Sequence, residues 1–250
     1  MFRVHVLVVS LLLFGVASSV FGDELERSPR GRPNILIITA DNLGYGDLRC
    51  YNPRSRIPTP NFDRLSGEGA RLTGFYTASP TCTVSRASLL TGRIPQRHGL
   101  VRQLPGVEGN YGVGLAQSET LIPQVLKQGV IPYVTGCFGK WHLGYTPSFF
   151  PTKQGFEEFV GLGSGDGDFF NHVDRSGKED WWRNETKAPE EGYTTDLLTR
   201  HSVDFIKRHS EQPFFLYVPH LAIHFPWQGP NDPPHRVKGV DYADDKWGVI

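Results

Sequence analysis

The chain has 250 residues, 26 basic and 26 acidic, with a formal net charge of zero and with 38% apolar and 21% charged residues. This is ordinary globular composition, long enough for a sizeable core, and it argues against disordered and fibrous classes. Zero net charge without a dense Lys/Arg stripe argues against nucleic acid as a partner, since that affinity rests on neutralising phosphates.

The first segment reads as an address. Arg3 precedes the apolar run VLVVSLLLFGVASSV, and Gly22 precedes the charged DELER. That is the layout of a signal peptide over residues 1–22, cut after Gly22. The run is shorter than the ~20 residues that span a bilayer, and no later segment comes close. Residues 23–250 are therefore expected to form one exported domain, secreted or periplasmic, with no stable membrane span, an uncleaved anchor being the alternative. Cys50, Cys82 and Cys137 are too few for a disulfide scaffold. A single Cys50–Cys137 bridge would leave Cys82 as the odd thiol.

RPNILIITADN is a continuous apolar run flanked by turn formers, the pattern of a strand buried on both faces of a parallel sheet, with Asp41 and Asn42 at its carboxyl end. TPNFDRLSGEG predicts a short helix with Thr59 as N-cap, Pro60 at the first position, Phe62 and Leu65 on one side and Gly67 as the stop. SPTCTVSRASLLTGR approaches a second helix that starts near Cys82 and carries Arg86 one turn in. TLIPQVLKQG precedes a second strand, IPYVTG. TTDLLTRHSVDFIKRH puts Leu197, Leu198, His201, Phe205 and Ile206 on one face before a third strand, PFFLYV. Strands alternating with helices predict an α/β fold, a mostly parallel sheet flanked by helices and joined by right-handed crossovers. VRQLPGVEGNYGVG and GLGSGDGDFFNHVDRSGKED read as surface loops. Asn184-Glu185-Thr186 fits a glycosylation acceptor in a eukaryotic source, and Trp181 and Trp182 read as packing residues before sugar platforms.

Each strand ends in a polar cluster: ADN after the first, GKWHLG after the second, HLAIHFP after the third. Ligands of open α/β sheets bind beyond the carboxyl ends of strands, so the clusters are expected to share a site. A helix start at Cys82, with Arg86 and Lys140 nearby, suits an anion. NILIITADNLGYGD, CTVSRASLLTGR, GKWHLG and PFFLYVPHLAIHFP, in this order, resemble the type I, formylglycine-dependent sulfatases, arylsulfatase-like members of the alkaline-phosphatase-like superfamily. The likeness runs from about Arg32 to Pro226.

The resemblance implies hydrolysis of sulfate esters. Cys82 would be oxidised to formylglycine by a maturation enzyme, and the aldehyde hydrate would be the nucleophile. Arg86 would hold that hydrate. Lys140 would contact sulfate, and His142 the hydrate. Alternation would place Lys140 and His142 on one side if their segment is extended. His224 would donate a proton to the leaving alcohol or bind sulfate, with His220 ranked below it because of its offset from the strand. Ser164 would touch the substrate, a sulfated small molecule or carbohydrate. Asp41 and Asn42 match the first half of the family's calcium (Ca2+) site.

Two departures stand out. Val84 occupies the position where the family's signature has proline. The chain also stops at DDKWGVI before a second Asp-Asn pair, so it is expected to be an amino-terminal portion or truncated product. The same superfamily keeps phosphodiester or phosphonate hydrolysis open as an alternative, as is an inactive truncated homologue.

Overall fold

The computed structural model describes residues 32–105 and 112–242. The signal peptide over 1–22, part of the loop that includes GNYGVG, and the final DKWGVI lie outside the described residues.

The strands are β1 (Ile35–Thr39), β2 (Val134–Phe138), β3 (Glu158–Gly161), β4 (Trp182–Arg183), β5 (Thr186–Lys187) and β6 (Phe214–Pro219). They form one sheet in the order β1-β6-β2-β3-β4-β5. Pairings from β1 through β6 and β2 to β3 are parallel, and β3-β4 and β4-β5 are antiparallel. The helices are α1 (Pro60–Glu68), α2 (Cys82–Thr91), α3 (Pro95–His98), α4 (Ile122–Lys127) and α5 (Thr194–Arg208). The mostly parallel α/β architecture matches the sequence reading.

The sheet's pleat sorts β6 into two cores. Phe215 and Tyr217 join Cys137, Ile35 and Ile37 under Leu90 of α2 and Ile122 and Leu126 of α4. Phe214, Leu216 and Val218 face the other way, against Leu197, Leu198 and Phe205 of α5. Every residue of β6 is buried because the strand is central and covered on both faces, which is why it reads as an unbroken apolar run.

β1 departs from expectation. Leu36 is 45% and Ile38 58% exposed. α5 packs over β2, β6 and β3, while β1 lies at the end of the sheet order, so its α5-side residues face open space. The second strand starts at Val134, three residues later than predicted, because Pro132 has no N–H to give to a ladder. In α1, Thr59 accepts the Arg49 N–H and donates to Asp63, making no cap bond. Gly67 lies inside α1, Gly69 ends it, and Phe62 and Leu65 are exposed. The Cys50–Cys137 bridge is absent: all three cysteines are free, and Cys137 is fully buried in the middle of the sheet. Trp181 and Trp182 are buried packing residues. No helix among the described residues is long and apolar enough to cross a membrane.

Candidate active site

β1, β6 and β2 run parallel, so the chain leaves all three at one edge of the sheet. Two backbone bonds tie the first exit to the third: Asp41 N–H to Ala222 O and Ile223 N–H to Asp41 O, both 2.8 Å. Lys140 N–H reaches Pro219 O at 2.8 Å. That approach requires Gly139, where φ is 144° and a Cβ would lie 2.1 Å from Pro219 O. Asp41, Lys140 and His224 are thereby carried to one place on rigid elements.

α2 supplies the fourth wall. Its first residue is Cys82, and its N-cap, Thr81, makes no side-chain cap bond. Ser85 N–H bonds to Thr81 O, and Gln103 Oε1 accepts the Thr83 N–H at 3.3 Å. The half-buried Cys82 Sγ lies 3.5 Å from Asp41 Oδ1 and 3.6 Å from Lys140 Nζ. Arg86 donates to Lys140 O at 2.6 Å and to Asp41 Oδ2 at 3.1 Å. Lys140 Nζ, with no exposure at all, donates to Asp41 Oδ2 at 2.5 Å. His224 completes the group, since one ligand atom each from Asp41, Cys82 and His224 lie within 4.8 Å of one another. Its Nδ1 is 2.8 Å from Phe225 O. A carbonyl only accepts, so Nδ1 carries the proton, and Nε2 of the neutral ring is left as an acceptor.

Electrostatics follow from this packing. Burial pushes the Asp41 carboxyl up, but the Lys140 ammonium and Arg86 guanidinium outweigh it and hold the group far below the usual carboxylate range. Burial, then the Lys140 charge, hold both His142 and His224 below the ordinary histidine value. At neutral pH the site therefore holds two cations, one carboxylate and two uncharged imidazoles. It opens into a cleft of about 860 Å3 lined by Asp41, Asn42, Cys82 and Arg86, with Phe75 and Tyr76 at its wall.

The remaining sequence-assigned residues lie around this group. His142 is fully buried with φ at 56°, so extended alternation stops there and the same-side argument with Lys140 does not apply. Its Nε2 lies 3.2 Å from Leu104 O, and its Nδ1 is buried without a partner. Ser164 is buried, its hydroxyl donating to Asp166 O at 3.1 Å. Asn42 is exposed in left-handed backbone, which asparagine tolerates. His220 is absent from the Asp41–Cys82–His224 cluster.

Supporting residues were invisible in the sequence reading. Asp166 forks with the fully buried Arg236 at 2.8 and 3.2 Å and also accepts from Arg175. The two guanidiniums flank Phe225 at 5.2 and 5.8 Å from its ring centre, bracing the residue whose carbonyl orients His224. The only signal for these residues was an excess of Asp in GDGD.

A family model described as Sulfatase matches residues 33–247. The chain belongs to the sulfatase family. Human N-acetylgalactosamine-6-sulfatase is 37% identical over 214 residues, covering 78% of this chain and 40% of that protein. Human arylsulfatase A is 48% identical over 134 residues, covering 52% of this chain and 25% of that protein. The crystal structure of Ps i-CgsB in complex with k-i-k-neocarrahexaose is 34% identical with a TM-score of 0.71, covering 79% of this chain and 47% of that one. The chain thus spans at most about 40% of the length of these curated relatives.

Calcium takes six to eight oxygen ligands. Around Cys82 the described residues bring together one carboxylate, one thiol and one imidazole, and both cations already bond Asp41 Oδ2. This donor set does not make a calcium site by itself, and no step below is routed through a metal.

Proposed function

We propose that this protein hydrolyses sulfate esters. The observation that carries the reading is the convergence of Arg86, Lys140, Asp41 and His224 on Cys82 at the start of α2. Two buried cations against one carboxylate leave an excess positive charge, which an R–O–SO3 monoanion would neutralise. A helix start adds partial positive charge on the same side.

Oxidation of Cys82 to formylglycine by a maturation enzyme would supply a geminal diol, one oxygen to displace the alcohol from sulfur and the other to expel sulfate as the aldehyde re-forms. Arg86 and Lys140 would hold the sulfate oxygens. His224 is assigned to the leaving alcohol: its Nε2, an acceptor in the neutral ring, would take the proton of the attacking diol hydroxyl and pass it to the departing alcohol oxygen. His142 is assigned to the second hydroxyl of the diol, and Ser164 to substrate contact. Asp41 and Asn42 are proposed as part of a hard-cation site that needs further oxygen ligands.

A sulfated saccharide is the proposed substrate class, supported by the D-glucosamine-2-N,6-O-disulfate and k-i-k-neocarrahexaose bound in two similar solved structures. Export through residues 1–22 belongs to the same reading. Mass spectrometry of the Cys82 peptide from the native host tests it: an aldehyde or its hydrate is expected, and an intact thiol sinks the mechanism. Matched aryl sulfate and aryl phosphate substrates should show faster turnover of the sulfate, and the reverse preference would assign a phosphoester or phosphonate hydrolase instead.

A further inference from the structure

Asp180 belongs to the KEDWW loop, far from Cys82 in sequence and outside every assignment above. It is 1% exposed. Its Oδ1 accepts the Gly163 N–H at 3.1 Å and the Trp182 indole N–H at 2.8 Å, and its Oδ2 accepts the Ser164 N–H at 2.9 Å. Three donors on one carboxyl group fix the start of the Gly163–Ser164–Gly165 turn. That turn meets His142 twice. His142 N–H bonds to Gly163 O at 3.2 Å. The imidazole lies directly against Gly165, where an added Cβ would be 2.2 Å from Cε1 and 2.3 Å from Nε2.

The His142 ring makes one hydrogen bond, from Nε2 to the Leu104 carbonyl, its Nδ1 has no hydrogen-bond partner, and the Tyr145 ring lies 6.1 Å away between ring centres. With so few polar ties, this fully buried ring is placed by packing, and the Gly163–Gly165 turn is one of the surfaces it packs on. We propose that Asp180 is a positioning residue for the active site, holding the Gly163–Gly165 turn as the platform that sets the His142 imidazole. This rests on the reading of His142 as a catalytic group.

The chemistry predicts which substitution is informative. A carboxyl group, ionised or protonated, can accept on both oxygens. The amide of D180N accepts on one only and turns an NH2 toward either Ser164 N–H or the Gly163 and Trp182 donors. The turn should then shift at nearly constant side-chain volume. A misplacement on the order of 1 Å lowers rates about 100-fold, so kcat of the full-length protein on 4-nitrophenyl sulfate should fall about 10- to 100-fold with KM changed less than about 3-fold.

The decisive measurement is a cycle with H142A. If Asp180 acts through His142, D180N/H142A should be no slower than H142A within about 3-fold. A full additional loss in the double variant, or a D180N enzyme with unchanged kcat, would overturn the proposal. Undiminished activity in H142A would instead overturn the reading of His142, and the positioning role with it. If D180N does not fold, W182F removes one of the three donors: a smaller loss of kcat that disappears in the H142A background is expected, and an unchanged or additive result refutes the role.

Discussion

The buried charge cluster makes the sharpest prediction about stability. Among the described residues Asp41 is the only acidic partner of Lys140 and Arg86, bonded at 2.5 and 3.1 Å, and all three side chains are nearly or wholly buried. D41N keeps the volume and removes the charge. Removing one partner of a buried ion pair leaves an uncompensated charge and costs about 3–5 kcal/mol. Two cations share this carboxylate, which places D41N at the upper end of that range. In a protein of this size each 1 kcal/mol moves Tm by about 2–4 °C, so a drop of about 10–20 °C is expected. Thermal unfolding followed by circular dichroism reads it directly. Because the pair is buried, the drop should persist in high salt. Sulfate should restore D41N more than the parent, since an anion replaces the lost counter-charge. A D41N protein melting within about 2 °C of the parent, or gaining nothing from sulfate, would refute the assignment of these cations to an anion site.

Three further outcomes are expected. G165A pushes a methyl group into the His142 ring and should lower stability by about 1–3 kcal/mol, read by urea unfolding; an unchanged midpoint would mean that the contact is not as tight as described. Burial pushes the Asp180 carboxyl up to about 7, with Asp174 adding to the shift and the Ser164 and Trp182 hydrogen bonds opposing it. A raised acid contributes stability that is complete below its unfolded value near pH ~4 and is lost as pH rises through about 7, on the order of 4 kcal/mol in all, and D180N should abolish that slope in urea titrations across this range. V84P should cost no more than about 1 kcal/mol, because Val84 lies in the first turn of α2 where its N–H has no acceptor within the helix. If Val84 limits maturation, V84P should raise the aldehyde fraction at Cys82 by mass spectrometry, and an equal fraction would show that proline is dispensable there.

The convergence of the side chains around Cys82 was legible in the sequence because each of its parts sits next to a strong local signal. Asp41 follows an apolar strand, Lys140 follows another, His224 follows the third, and Cys82 opens a helix. What a strand faces was not legible. Leu36 and Ile38 have the same residue types as a doubly covered strand, and only the layout of α5 over the neighbouring strands leaves them open. The supports were hidden for a related reason. Asp180 acts on residues 16 and 17 positions away, and Arg236 pairs with Asp166 across 70 positions, through loops with no period to read.

The exposure of Lys140 links fold to function. An ammonium with no access to water survives only beside a counter-ion, and here that ion is Asp41, shared with Arg86. Neutral His142 and His224 add no compensation, since burial and the Lys140 charge keep both unprotonated. The cluster is therefore held one negative charge short of balance inside a low-dielectric wall. In the proposed reaction a monoanion entering beside Cys82 would complete it, and electrostatic preorganisation of this kind is usually the largest single contribution to stabilising a transition state. The same imbalance destabilises the anion-free fold, so a variant that neutralises Arg86 or Lys140 while leaving Asp41 in place should bind an anion more weakly and fold more stably without it.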